Sequence, residues 1–411
     1  MKTLQNNGIQ VNSQPVTSGP RLLNALTLRR LLSFGPESTQ LELQSLNVLI
    51  GPNGSGKSNL LEAIALLRAT PNRGSPHDLR TVIGRGGGVG EWIWKGDPKG
   101  VATLEAVVNN SHGQQPLRHV LAFRSEQQTF RLDDERIENE NSYPGESGPY
   151  FYYRYQHGQP VLNIKNGQRR LARESVELDQ SILAQRYDPE IYPEVSHLAS
   201  TYEKIRLYRE WVFGRDTVFR EPQKADLRSD RLEEDFSNLG LFLNRLRRHP
   251  KAKSALLNAL QDLYEGLTDF DVSVEGGTVQ VFFTEGDYTI PATRLSDGTL
   301  RYLCLLAILC DPEPPPLIGI EEPELGLHPD ILPKLADLLI KASERTQLIV
   351  TTHSDVLVDA LTEHPETIVV CEKQAGQTVM RRLDPQALAH WLESYRLGEL
   401  WTSGELGGVR W

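Results

Sequence analysis

The sequence predicts an α/β fold built on a mostly parallel sheet, and three observations carry that prediction. A glycine-rich segment joins the apolar run Val48-Leu49-Ile50 to a helix-spaced set of leucines. Toward the other end of the chain, apolar strands alternate with amphipathic helices. The stretch between these regions has a different character, so a sheet drawn from both makes the middle a large inserted lobe of mixed β/α structure.

Each element follows from its residues. Residues 1–20 are polar, lack the apolar core of a signal peptide, and read as a disordered lead-in. Segments 22–32 and 40–50 read as strands around a turn at Gly35-Pro36, the second ending as a buried parallel strand does. A helix comes next with Leu60, Leu61, Ile64 and Leu67 at helical spacing, stopped at Pro71 and Gly74. Residues 21–70 thus form the first part of a head.

Residues 71–270 form the insertion. It is strand-like and turn-rich to about Lys165, with strands at 102–108, 118–123 and 150–155. Residues 174–263 read mostly helical, most clearly at 205–213 and 239–263. The second part of the head, 271–385, carries strands at 272–283, 317–320, 347–351 and 367–370, with helices at 298–310, 330–342 and 355–361. Residues 386–411 are a tail. No heptad pattern persists for several turns, so no long coiled coil is expected.

Composition bounds the function without naming it. With 411 residues, two lobes or a domain with an insertion are expected, and 39% apolar residues supply a core. No run approaches the roughly 20 apolar residues of a membrane span, so no membrane partner is expected. Cys304, Cys310 and Cys371 lie in apolar runs without metal spacing, which suits buried thiols in a reducing cytoplasm. A net charge of −10 argues against a chain that coats nucleic acid everywhere, while leaving room for local basic patches.

The chemistry is concentrated in four motifs. Gly51-Pro52-Asn53-Gly54-Ser55-Gly56-Lys57-Ser58 sits between strand and helix and matches the phosphate-loop pattern in full. Its glycines let backbone N–H groups turn toward phosphates, and the helix N-terminus adds partial positive charge. Lys57 is placed to bridge β- and γ-phosphates and the Ser58 hydroxyl to ligate Mg²⁺, with Asn59 next in line. The strand 317–320 ends in Glu321 and Glu322, a metal-supporting carboxylate and a general base for an attacking water. Leu295-Ser296-Asp297-Gly298-Thr299 opens an apolar helix, with Ser296 a good N-cap. Thr351-Thr352-His353-Ser354 comes after another buried strand, and a histidine there can meet a γ-phosphate or water.

In this order the motifs resemble the ATP-binding-cassette ATPases: Walker A loop, signature loop, Walker B strand and switch histidine. The stretches 46–61, 295–303, 319–329 and 350–361 are similar to RecF-like and SMC-like ATPases, as is the tail Leu397-Gly398-Glu399-Leu400-Trp401 with the glycines after it. Glu321 stands where the family usually has Asp, and Asp297 favours the SMC-like side over transporters.

The resemblance implies a homodimer that sandwiches two ATP molecules, each between one Walker A loop and Ser296 and Gly298 of the second subunit. Glu322 and His353 then serve hydrolysis. It also places Arg29 and Arg30 near nucleotide and offers Gln180 and Gln185 as Q-loop candidates.

Coupling to DNA is expected from the family. Two basic clusters add to it, Arg245, Arg247, Arg248, Lys251 and Lys253, and Arg169, Arg170 and Arg173, with aromatic residues 150–155 as candidate stacking partners. The alternative is a sensor acting on a separately encoded effector, because little chain comes after His353 for the nuclease domain that some relatives carry. A transporter subunit fits worst, given the long insertion and the Glu-Glu-Pro-Glu end.

Overall fold

The computed structural model describes residues 18–408 other than 111–112, 157, 165–166, 172–174, 215–216 and 219. Most of the expected lead-in, and Arg173, lie outside the described residues.

The central sheet has six strands in the order Arg206–Tyr208, Leu317–Glu321, Gln347–Thr351, Leu46–Ile50, Ile368–Gln374 and Gln377–Arg382. The first five run parallel and the last pairs antiparallel as a hairpin. Leu46–Ile50 and Gln347–Thr351 are buried at every residue, which explains their mainly apolar character. Of their buried polar residues, Asn47, Gln347 and Thr351, Gln347 satisfies its whole amide. Its Oε1 accepts from Leu22 and Leu23 N–H at 3.0 and 2.9 Å, and its Nε2 donates to Leu23 O and Gln44 O at 2.8 and 3.0 Å. This one side chain ties the central sheet to the second.

The second sheet is antiparallel and eight-stranded. It starts with Thr39–Glu42 and Leu23–Arg29, then continues through Ala102–Val108, Leu117–Glu126, Thr129–Asn139, Phe151–Gln156, Gln159–Ile164 and Gly167–Arg170. A third, smaller antiparallel sheet contains Gln223–Lys224, Leu267–Glu275, Thr278–Glu285 and Tyr288–Pro291. The helix Lys57–Ala69 is buried nearly all round between the sheets, as a core helix must be. The longest described helix, Pro250–Leu263, has 14 residues, so no long coiled coil is present among the described residues.

Three elements differ from the sequence expectation. Segment 40–50 is two strands in two sheets, broken at Leu43–Ser45, because Leu43 N–H bonds back to Asn24 O while Asn47 crosses to Gln44 and Leu348. Segment 272–283 is a hairpin turning at Gly276 and Gly277, both left-handed (φ 57° and 79°), and it lies outside the parallel sheet. Segment 205–213 is not helical. Arg206–Tyr208 pairs with Ile318–Ile320 as the edge strand of the central sheet, so a piece of the middle of the chain completes that sheet.

Candidate functional site

The parallel strands all end at one edge, and the residues immediately after them build the site, as ligand sites in such sheets do. Leu46–Ile50 runs into the glycine-rich loop, Leu317–Glu321 into Glu322, Gln347–Thr351 into Thr352 and His353, and Arg206–Tyr208 into Arg209.

The loop is a cradle made by backbone conformation. Gly51, Gly54 and Gly56 have φ of 146°, 75° and 105°, a region that side chains rarely adopt. A Cβ at Gly51 would run into Cys371 O, and one at Gly56 into Thr378. Gly56 caps Lys57–Ala69 without a side-chain bond, and no acid sits in the first turn, so the helix N-terminus presents its N–H groups to an anion.

Lys57 Nζ donates to Gly51 O at 2.8 Å and Pro52 O at 3.1 Å. Burial pushes its pKa below the usual lysine value, opposed by Cys371, Glu322, Glu321 and Glu324. Asn53, Gly54 and Ser58 face solvent while Ser55 is buried. A brace from two distant segments holds the loop from behind. Thr378 Oγ1 lies 2.8 Å from Ser55 O and 2.7 Å from Ser33 Oγ, which also accepts from Asn59 Nδ2 at 2.6 Å.

The carboxylate end is assembled differently. Glu322 has φ 47°, a strained conformation for a non-glycine residue, held by its N–H bond to Thr351 O at 3.0 Å and by Arg301, which donates to Glu322 O at 3.0 Å. Glu322 Oε1 lies 3.4 Å from His353 Nε2. Glu324 accepts from His353 N–H at 2.7 Å and Thr352 Oγ1 at 2.8 Å, and burial raises its pKa.

Arg209 ties Glu321 at 2.9 Å to Glu62 on the phosphate-loop helix at 2.8 Å. Burial works against the Arg209 charge, yet Glu62 and Glu321 outweigh it and hold its pKa above the ordinary value. Trp211 Nε1 donates to Glu321 O at 2.8 Å, and the Arg301 guanidinium lies 4.6 Å from the Trp211 ring centroid. Burial pushes the Arg301 pKa down to about 10.

Lys57, Glu321, Glu322 and His353 therefore converge. Ser296 and Gly298 stand apart, with no described hydrogen bond or ion pair to the phosphate loop. Ser296 Oγ caps its own helix, accepting from Thr299 N–H at 3.1 Å, and Gly298 packs on Gly326 O. The Q-loop candidates are misplaced for that role. Gln180 lines a cavity of about 220 Å³ with Thr70 and Asn72, beyond the far end of the helix Lys57–Ala69, and Gln185 bonds Gln180 O and Glu177 O beside it. Arg30 pairs with Asp97 and Arg29 bonds Pro36 O.

Sequence reasoning missed Arg209, Trp211, Arg301, Glu324, Ser33 and Thr378. Residues 206–213 show no strict apolar–polar alternation, so no local period marked them as extended chain.

The family described as "AAA domain, putative AbiEii toxin, Type IV TA system" matches residues 46–359. The chain belongs to this family. It is an AAA-type P-loop ATPase domain, and its fold is that of SMC heads.

One similar structure, an Smc head bound to the C-terminal winged-helix domain of ScpA, is 16% identical with a TM-score of 0.54. It covers 89% of this chain and 99% of its own. An Smc head from Pyrococcus furiosus bound to the C-terminal domain of ScpA is 14% identical, TM-score 0.53, covering 90% and 98%. One from Pyrococcus yayanosii is 12% identical, TM-score 0.52, covering 90% and 99%. No curated protein matches the chain. Among the described residues, no helix is long and apolar enough to cross a membrane.

Proposed function

We propose that this chain is an ATP hydrolase that dimerises around nucleotide and uses hydrolysis to reopen. The observation that carries it is the convergence of a phosphate cradle with Lys57, two carboxylates and a histidine at one sheet edge. The donor set fits Mg²⁺: Ser58 is an exposed hydroxyl at the helix N-terminus, and Glu321 is a carboxylate at the end of the next strand but one in the same sheet. When bound, Mg²⁺ supplies charge neutralisation on the β- and γ-phosphates.

Gly51, Asn53, Gly54, Ser55, Gly56 and Asn59 frame the triphosphate, and Lys57 exchanges its two backbone acceptors for phosphate oxygens. Glu322 takes a proton from the attacking water as that oxygen bonds to the γ-phosphorus and ADP leaves. His353, 3.4 Å from Glu322, orients the water or γ-phosphate. Ser296 and Gly298 open a helix whose capped end makes no described hydrogen bond or ion pair to this site's own loop, which suits an address on a second subunit's nucleotide.

The purified chain is expected to hydrolyse ATP only with Mg²⁺. Glu322→Gln lowers kcat by roughly 10²–10⁴-fold and accumulates an ATP-bound dimer by size-exclusion light scattering. A variant that stays monomeric at saturating ATP sinks the sandwich.

The fold likeness to SMC heads supports coupling to a DNA transaction in repair, chromosome maintenance or defence. A second reading, a sensor regulating a separately encoded effector, is favoured by the charge pairing of the larger basic cluster. Arg245 meets Asp311, Arg247 meets Asp271 and Lys253 meets Asp269, which leaves less cation for phosphates. The family description, with its toxin of a toxin–antitoxin system, is consistent with a separately encoded partner. Salt-sensitive, ATP-dependent gel shifts support the DNA reading. Their absence, with a protein co-purifying under ATP, supports the second.

A further inference from the structure

Residues 397–408 touch both halves of the candidate site. At the start of this segment, Leu397 N–H donates to Thr362 Oγ1 at 3.2 Å and Gly398 N–H to Asp359 Oδ1 at 2.6 Å. Asp359 ends the helix Asp355–Asp359, which begins two residues after His353. Any side chain at Gly398 would run into Asp355 O and the Asp359 carboxylate, so glycine permits this approach. Leu397, Leu400, Trp401 and Leu406 are buried in the main core.

At the far end, Trp401 Nε1 donates to Gly408 O at 2.9 Å, and Gly408 N–H donates to Glu372 Oε1. Glu372 lies on the strand beside the one that feeds the phosphate loop. A Cβ on Gly408 would stand 3.5 Å from Gly51 Cα and 3.6 Å from Cys371 O, so this backbone lies against the first glycine of the cradle. Buried leucines alone would hold the segment loosely in register. The two carboxylates fix it, one on the helix that follows His353 and the other on the strand beside the one that feeds the phosphate loop.

We infer that residues 397–408 form a clip that holds the helix behind His353 and the floor of the phosphate loop in one arrangement, with Asp359, Glu372 and Trp401 as positioning residues for nucleotide turnover. The inference rests on the ATPase reading above. Packed elements move as units, so a clip anchored on both sides makes the histidine and the cradle shift together or not at all. A misplacement of about 1 Å at either costs on the order of 10²-fold in rate.

The test uses the full chain, MgATP, steady-state kinetics and amide exchange. Trp401→Phe keeps the buried ring and removes the N–H bond to Gly408. Asp359→Ala removes the carboxylate, and Asp359→Asn retains an oxygen acceptor. Asp359→Ala is expected to lower kcat about 10-fold with KM unchanged, and Asp359→Asn to recover most of it. Trp401→Phe is expected to raise KM for ATP and to speed amide exchange at residues 51–57.

Folded variants with wild-type kcat, KM and exchange overturn the clip. A wild-type chain that does not hydrolyse MgATP instead overturns the ATPase reading. The exchange then decides the clip by itself: faster at residues 51–57 in Trp401→Phe supports it, and unchanged exchange refutes it.

Discussion

The phosphate loop and the carboxylate end of the strand Leu317–Glu321 lie at one edge of one sheet, yet they are built in opposite ways. The loop is local. One strand, three left-handed glycines and one helix make it, and Lys57 bonds carbonyls five and six residues back. The carboxylate end is collective. Glu321 and Glu322 are held by Arg209 and Trp211 from the middle of the chain, Arg301 from the helix behind Ser296, and Thr351 from the next strand. A motif shaped by local backbone geometry tolerates more change around it than one held only by distant side chains.

The largest effect should come from Arg301→Ala. It removes the bond to Glu322 O and the cation stacked on Trp211, leaving a left-handed glutamate without its support. Steady-state kinetics should show kcat falling roughly 10- to 100-fold with KM little changed. An unchanged kcat would mean the carboxylate end is as self-contained as the loop.

Thr378→Val probes the other side of the comparison. It leaves Ser55 O without its bond and should cost about 1–3 kcal/mol in denaturant unfolding. KM should move less than kcat does in Arg301→Ala, because the glycines keep the cradle.

The smallest effect concerns Glu324. Burial raises its folded pKa above the unfolded one, so its contribution is fully present below the unfolded value and is lost as pH rises through the folded value. Urea titrations of the wild type and Glu324→Gln should therefore show relative stability shifting in favour of the variant as pH rises above the ordinary carboxylate range. A gap that stays constant over that rise removes Glu324 from the linked ionisation.

The loop and three of the four strands that lead into the site were legible because each is a short-range pattern: an apolar run, a turn residue, a capped helix. Segment 205–213 was not. As an edge strand, Arg206–Tyr208 takes its pairing from Ile318–Ile320, more than 100 residues on, and no local propensity encodes that partner. The carboxylates that meet the basic cluster at 245–253 were hidden for a similar reason. Asp269, Asp271 and Asp311 meet it only after folding. The paired glycines Gly276 and Gly277 did announce a hairpin, and the long strand reading passed over them.

By itself the sequence determined the α/β class, the cradle with Lys57 and Ser58, and the residue types at the ends of three strands, since these depend on backbone freedom and apolar period. Only the tertiary structure decided which side chains hold Glu321 and Glu322 in place, that Thr378 and Ser33 back the loop, and that residues 397–408 reach Gly51. Those contacts join positions far apart in the chain, and long-range burial and charge pairing select them with no local signal.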